Sequence, residues 1–405
     1  MSAAERWLQT VFWISVGLSL YAYVVYPLLV SLLARLFGRA IQPAAGRGRK
    51  LPSVSVVIVA YNEEASIGRR IQEFLAAIER AGTAGEVIIV SDGSTDGTAR
   101  VARGCSGTRV RVIELPVNQG KAVGLSEGCA AAVHPIVVLA DARQRWDEDA
   151  LRFLLEDFAD PSVGAVSGEL ILESQPGVIA GVGLYWRYEK WIRKAESRLH
   201  STAGLTGAIC AVRRWLFRPV PAGTVLDDVY WPMRVVLQGS RVVFDGRAQA
   251  FDRLPSRPRD EFRRKVRTLA GNYQLVGLLP RSVVPWRNPI WWQFVSHKLL
   301  RLVVPWALIG ALVSSFLLEG PIFQAAFWCQ VACYGLGLVG LSRGWIGRWR
   351  LPAAAGSFLV LNAAAWVAFW VWLTGRTSRS WQKVAYESRP QEGVPASSDQ
   401  LNVGV

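Results

Sequence analysis

Val54-Ser55-Val56-Val57-Ile58-Val59-Ala60 runs directly into Tyr61-Asn62-Glu63-Glu64. The first seven residues are apolar except for one serine and rich in β-branched side chains, the pattern of a strand buried on both faces. In Ala65–Arg80 the spacing of Ile67, Ile71, Phe74, Leu75 and Ile78 then predicts a helix. The same alternation continues. Glu86–Val90 reads as a second buried strand, and Ser94-Thr95-Asp96 supplies hydroxyl and carboxylate groups that can cap a following helix. Val110–Leu115 reads as a third strand, Lys121–Ala132 as a helix and Ile136–Ala140 as a fourth strand. Strands alternating with helices predict an α/β domain with a mostly parallel sheet and helices on both faces.

Acidic residues close two of these strands. Glu86–Val90 leads into Ser91-Asp92-Gly93-Ser94, and Pro135–Ala140 leads into Asp141. Far downstream, Val225-Leu226-Asp227-Asp228-Val229 holds two adjacent carboxylates. Acidic groups at the carboxyl ends of buried strands point into the ligand crevice of such a sheet. Three sites of this kind imply a nucleotide, a metal and a general base. Tyr61 and Glu63 are placed to meet a nucleoside, with Asn62 shaping the turn; the plain alternative is a capped helix start. Asp92 can accept hydrogen bonds from a base or ribose among small residues that allow close approach, or serve an ordinary Asp/Gly turn. Lys121, in Asn118-Gln119-Gly120-Lys121, suits a phosphate at a helix start, or is a solvated surface lysine. Asp141 can hold Mg²⁺ or Mn²⁺ against a diphosphate through oxygen ligands. Arg143 stands where a second carboxylate would strengthen that site; it either binds phosphate or pairs with Asp147 or Glu148. Neither early loop has the spacing of a P-loop or a dinucleotide fingerprint.

The flanks are membrane-like. Trp7 to Phe37 carries no charge between Arg6 and Arg35 and reads as an uncleaved transmembrane helix. Leu302–Leu318, Ile322–Leu341 and Pro352–Thr374 are three further apolar blocks. Ile290-Trp291-Trp292-Gln293-Phe294 followed by His297, Lys298 and Arg301 suits a helix lying at the interface. Lys and Arg exceed Asp and Glu by 46 to 31, a net +15. With these apolar segments, that surplus points to anionic lipid and an anionic substrate rather than nucleic acid. The five cysteines form no CxxC pair and the three histidines are scattered, which argues against a Cys/His zinc site. Cys329 and Cys333 share a helical face and are expected to pack. Arg35, Arg39, Arg47, Arg49 and Lys50 put the end of the first helix in the cytoplasm. Four spans then leave both termini outside, against the charges of Arg376, Arg379, Lys383 and Arg389, unless one span is re-entrant or interfacial. The resulting division is 7–37, a transmembrane helix; 52–260, a soluble catalytic domain; 261–301, basic interfacial helices; 302–375, about three transmembrane helices; and 376–405, a polar tail.

Taken in order, Val57–Glu64, the Ser91–Thr98 loop, Asn118–Lys121, Asp141, Thr206-Gly207-Ala208 and Leu226-Asp227-Asp228 resemble the membrane-bound family 2 glycosyltransferases, the group of cellulose, hyaluronan and chitin-oligosaccharide synthases. The resemblance covers roughly residues 52–275. It implies a GT-A fold, a nucleotide-sugar donor, usually UDP-linked, and Mg²⁺ or Mn²⁺. By position, Ala60, Tyr61, Glu63 and Asp92 match the nucleoside pocket and Lys121 the donor-phosphate region. Asp141 matches the first Asp of the DxD metal motif, from whose second Asp Arg143 departs. Thr206 and Gly207 match the loop near the acceptor. Asp228 matches the catalytic base, with Asp227 in place of the common Glu. Capping of a helix over Tyr230–Leu237 is the alternative role for Asp227 and Asp228. Synthases usually carry Q-x-x-R-W in the next segment; here Arg264 stands at the Gln, Arg267 at the Arg and Thr268 at the Trp. Arg267, with Arg263 or Arg264, can hold the diphosphate; a lipid-binding interfacial helix is the other reading. Trp186, Tyr188 and Trp191 either replace the missing aromatic platform or belong to an amphipathic core helix.

The expected activity is inverting transfer from a nucleotide sugar to a growing polysaccharide or oligosaccharide. A single base supports one in-line displacement, and no nucleophile for a covalent intermediate is identified. The alternatives are a single transfer to a membrane lipid, such as a polyprenyl phosphate or diacylglycerol, and an inactive scaffold. The expected location is a bacterial inner membrane with the catalytic domain cytoplasmic.

Overall fold

The structure is a computed structural model and describes residues 2–40, 50–105, 107–173, 180–253, 258–341 and 349–376. Most of the expected linker at 39–50 and of the polar tail from 376 lies outside the described residues.

Among the described residues eight strands form one sheet: β1 (Val54–Ala60), β2 (Gly85–Asp92), β3 (Val110–Leu115), β4 (Ile136–Asp141), β5 (Arg145–Trp146), β6 (Val163–Glu173), β7 (Ile209–Arg213) and β8 (Arg241–Arg253). Their order is β3-β2-β1-β4-β7-β6-β8-β5. β1 pairs in parallel with β2 and β4, and β2 with β3. β7 is antiparallel to both β4 and β6, β6 runs parallel to β8, and β5 is antiparallel to β8. The expected strands are all present, with Asp92 and Asp141 as the last residues of β2 and β4.

The helices are α1 (Ala3–Leu20), α2 (Tyr26–Phe37), α3 (Glu64–Arg80), α4 (Thr98–Gly104), α5 (Lys121–Ala131), α6 (Ala150–Glu156), α7 (Ala180–Leu199), α8 (Asp227–Leu237), α9 (Pro258–Leu278), α10 (Trp291–Phe294), α11 (Leu300–Leu317), α12 (Pro321–Leu341) and α13 (Arg350–Leu373). One face of β1 and β2 sends Val57, Ile88 and Val90 into a core with Leu125, Cys129, Tyr230 and Trp231. The other sends Val56, Ile58, Val87 and Ile89 against Ile67, Ile71, Phe74 and Ile78 of α3. Alternate residues thus face opposite layers, and each fully buried side chain contributes roughly 1.5–3 kcal/mol.

The helix expected to open at Ser94 begins at Thr98. Ser94 and Thr95 are drawn instead to the loop after β1: Asn62 N–H donates to Ser94 Oγ at 3.2 Å and Thr95 N–H to Asn62 Oδ1 at 2.8 Å.

Among the described residues, four helical runs are long and apolar enough to cross a membrane: Ala3–Phe37, Trp291–Leu317, Pro321–Leu341 and Leu351–Leu373. Exposed Trp13, Leu32, Phe316, Trp328 and Leu338 give them apolar outer faces that lipid would cover. Trp291–Leu299, expected as a separate interfacial helix, is continuous with α11 through a π turn at Val295–Leu299. The reason is burial, since Phe294 and His297 turn inward onto the protein. Cys329 and Cys333 are exposed on α12 rather than packed, because that helix touches its neighbours through other residues, Gly337 and Gly340 among them. α9 packs on α13 through Val266, Ala270, Ala364 and Ala368, and Tyr273 stacks on Trp372 with ring centres 5.1 Å apart.

Candidate active site

Three loops at the carboxyl ends of the parallel strands are knitted to one another. Beyond the Asn62 bonds, Glu63 N–H donates to Thr98 Oγ1 at 2.8 Å, and Gly97 N–H to Glu64 Oε2 at 2.9 Å. Ala60 is buried beneath this knot and Tyr61 is half-buried at its rim. Asp92 is fully buried, and both its oxygens accept backbone bonds, from Gln119 N–H at 2.7 Å and Gly120 N–H at 2.8 Å. It therefore holds the turn that launches α5. Gly93, in the loop after β2, lets that turn approach: its φ is +64°, and a Cβ would lie 2.2 Å from Asn118 N.

The turn delivers Lys121 to the end of β4, where its Nζ donates to Asp141 Oδ1 at 2.6 Å. Burial disfavours the ammonium, but Asp141, Asp227 and Asp228 outweigh it and hold the group above its ordinary value. Asp141 is pinned from behind. Buried Arg70 of α3 donates to its backbone carbonyl at 3.3 Å and lies 4.2 Å from the Phe74 ring. Arg143 does not pair with Asp147 or Glu148. It makes a bidentate ion pair with Asp252 of β8, at 3.2 and 2.7 Å, because β8 rather than the local chain lies beside it. Trp146 Nε1 then donates to Ala208 O at 3.1 Å, tying this segment to the Thr206–Ala208 loop.

Asp227 and Asp228 open α8. Leu226 occupies the cap position and no side chain caps this end, so the carboxylates are not capping groups. They lie in the first turn, where the helix dipole favours negative charge. Burial raises the Asp227 carboxyl. Burial, then Asp227, push Asp228 up to about 6, while Lys121, Lys298 and Arg193 pull it down. Leu205 N–H donates to Asp228 O at 2.8 Å, which lays the Thr206 loop over the start of the helix. Gly207 completes the contact: a Cβ there would sit 3.5 Å from both Asp228 Cβ and Lys121 Nζ.

Arg267 of α9 lies within electrostatic reach of Asp227 and Asp228. Arg264 is ion-paired instead with Glu261, one turn earlier on the same helix, at 2.8 Å. Tyr188 belongs to the core: its hydroxyl donates to Tyr23 O at 2.8 Å and its ring packs beside Tyr26 and Ile192. The structure thus gathers Lys121, Asp141, Asp227, Asp228, Arg267 and Gly207. Ala60, Tyr61, Glu63 and Asp92 build the neighbouring loops. Sequence reasoning missed Arg70, Trp146, Arg193 and Lys298. Only Lys298 carried a signal, as a basic residue next to a histidine inside an apolar stretch.

Residues 55–220 match the Glycosyl transferase family 2 profile. The poly-β-1,6-N-acetyl-D-glucosamine synthase of Staphylococcus epidermidis is 22% identical over 235 residues, covering 56% of this chain and 56% of that protein. The synthase of the same name from Staphylococcus aureus is 24% identical over 241 residues, again 56% of each. The chain therefore spans a little over half the length of the curated relatives it matches. Among solved structures, the mannosyltransferase PcManGT from Pyrobaculum calidifontis, in complex with GDP-Man and Mn²⁺, has a TM-score of 0.68 at 22% identity, over 90% of this chain and 99% of that one. The fold is GT-A, as the sequence led one to expect.

Proposed function

We propose that this chain, whose residues 55–220 are a glycosyl transferase family 2 domain, is a membrane-bound inverting glycosyltransferase that moves a sugar from a nucleotide donor, UDP-linked, to a growing polysaccharide or oligosaccharide. The observation that carries the reading is the convergence of Lys121, Asp141, Asp227, Asp228 and Arg267 under the Thr206-Gly207 loop. The synthase names of the staphylococcal relatives support a saccharide product.

Asp228 is the general base. Burial and Asp227 push its carboxyl up to about 6, which leaves it ionised at neutral pH yet basic enough to take a proton from an acceptor hydroxyl as that oxygen attacks the anomeric carbon. Lys121 and Arg267 place positive charge where the diphosphate departs. The loops around Tyr61, Glu63 and Asp92 form the nucleoside side. Arg264, paired with Glu261, is not assigned to the diphosphate.

The residues fit a divalent cation that arrives with the donor. Among the described residues no three of His, Cys, Asp and Glu converge as a metal cage. Asp141 offers one carboxylate, and Arg143 is held away by Asp252. One carboxylate plus phosphate oxygens is a donor set that Mg²⁺ or Mn²⁺ accepts. Asp141 would hold the cation, which supplies charge to the leaving diphosphate.

A second reading, one transfer to a membrane lipid, is favoured by Lys298: it stands at the foot of an apolar helix yet acts electrostatically on Asp228. Either acceptor reading sets the catalytic domain on the cytoplasmic side, where the basic residues after the first helix belong.

The test is nucleotide release from the protein in lipid nanodiscs, with a panel of UDP- and GDP-sugars and Mg²⁺ or Mn²⁺. Release with one UDP-sugar, lost in Asp228→Asn, supports the transferase and names its donor. Release with none removes the UDP assignment. Counting sugars added per acceptor separates the two acceptor readings.

A further inference from the structure

On α7, Glu189, Arg193 and Glu196 stand at i, i+4 and i+7 and so share one face. The outer two grip the foot of the helix Trp291–Leu317. His297 lies between them, with Nδ1 2.8 Å from Glu196 Oε1 and Nε2 3.0 Å from Glu189 Oε2. Arg301, one turn further on, pairs with Glu189. From the first span, Tyr26 hydroxyl donates to Glu196 Oε1 at 2.5 Å. Glu189, Glu196, His297 and Tyr26 are all buried. The middle residue of the face, Arg193, donates to Thr206 Oγ1 at 3.1 Å, in the loop that Leu205 fastens to Asp228.

The two spans change their winding at this contact. Both widen into π turns, at Tyr21–Val25 and Val295–Leu299, and the π turns meet. Tyr21 hydroxyl and Ser296 Oγ are 2.9 Å apart, and Trp292 Nε1 donates to Tyr21 hydroxyl at 2.8 Å. Isolated π turns inside helices recur at functional positions. A buried ionic network is also a poor way to gain stability, since apolar packing of similar volume holds helices together at least as well. Its distinguishing property is a fixed set of partners, which admits one register where apolar surfaces would tolerate sliding.

We propose that this clamp is a positioning device for the acceptor side of the site. His297, held between Glu189 and Glu196, sets the register of the membrane-helix foot on α7, so that Arg193 anchors the Thr206 loop. His297 and Arg193 are positioning residues, acting on the reaction through Thr206, Lys298 and Asp228. The proposal rests on the reading of Asp228 as base. Among the described residues, the charged groups that act electrostatically on Asp228 include Asp227 on its own helix, Lys121 from α5, Arg193 from α7, Arg267 from α9 and Lys298 from the membrane-helix foot.

The test uses the full chain in nanodiscs, with turnover read by nucleotide release and donor-side integrity read separately by the Kd for UDP. Glu196→Gln keeps the shape and most hydrogen bonds of the clamp, and Arg193→Met cuts the link to Thr206 without leaving a buried carboxylate unpaired. Both are expected to lower kcat by about ten-fold or more with the UDP Kd unchanged within about two-fold, since small displacements of a reacting group cost that much. Arg193→Lys is expected to recover part of the loss. Lys298→Met is expected to move the acidic limb of the pH–rate profile upward by about 0.5 to 1 unit, because a cation near the base is removed. Unchanged kcat in Arg193→Met and Glu196→Gln, or a UDP Kd that weakens in step with kcat, overturns the clamp. Full turnover in Asp228→Asn overturns the base reading and, with it, the Lys298 effect, whether or not the Arg193 variants respond.

Discussion

The two halves of the site are held together over very different chain distances. In the half formed by the loops after β1, β2 and β4, Asp92 reaches Gln119 across 27 residues, Asn62 reaches Thr95 across 33, and Lys121 reaches Asp141 across 20. In the half formed by α7, α8 and the membrane-helix feet, Glu196 meets His297 across 101 residues, Glu189 meets Arg301 across 112, and Tyr26 meets Glu196 across 170. The first half is a set of strand-end loops, two of these links made by backbone donors and the third by the Lys121 ammonium. The second exists only when the membrane spans and the sheet are docked. A damaged turn in the first half should therefore cost stability as well as activity, whereas changes in the second should cost turnover while nucleotide binding survives.

The sharpest break between them is Asp228→Asn. Loss of the proposed general base should lower transfer by about 10² to 10⁴-fold, while a UDP titration should give a Kd close to that of the parent. The same residue sets a pH dependence. As the proposed base, Asp228 must be ionised to accept a proton, and burial and Asp227 push its carboxyl up to about 6, so turnover should rise with pH through about 6 and level off above. A profile flat from pH 5 to 8 would remove it from the proton transfer.

Gly93→Ala attacks the first half. The left-handed backbone and the 2.2 Å approach of Asn118 N leave no room for a methyl group. The expected loss is at least about 2 kcal/mol, seen as a lowered Tm together with weakened UDP binding. Arg267→Ala is smaller: removal of one proposed charged partner of the departing diphosphate should lower kcat/KM by about ten-fold, with Tm little changed.

Gly207→Ala is the mildest and the most diagnostic. Its Cβ would make ordinary contacts at 3.5 Å, so the fold should tolerate it within about 0.5 kcal/mol. The methyl would nevertheless occupy the space between Asp228 and Lys121, and a rise of a few-fold in KM for the acceptor is expected at constant UDP affinity. Equal losses of stability in Gly93→Ala and Gly207→Ala would erase the distinction between the halves.

This contrast also marks what was legible in the residues alone. The parallel strands, the turns after them and the apolar spans were all readable. Each depends on hydrophobic periodicity or on a turn whose partners lie within a few tens of residues, and both leave local patterns. Strands β6, β7 and β8, in which β7 runs antiparallel to β4 and β6, and the role of α7 were not read, because their pairing and docking with remote segments leave no local pattern. Arg143 pairs with Asp252 of β8, 109 residues away, for the same reason, whereas Arg264 pairs with Glu261 on its own helix. A side chain's type states what it can bind, but Asp252 and Glu261 took these two guanidinium groups through proximity. Only the tertiary structure could decide that Trp291–Leu299 turns inward as the base of a membrane helix, or that His297 is buried between two glutamates. A charged or aromatic residue near an apolar run is compatible with lipid headgroups and with a buried partner alike. Which it meets depends on how the helices dock, and docking is a sum over contacts that no single stretch of chain contains.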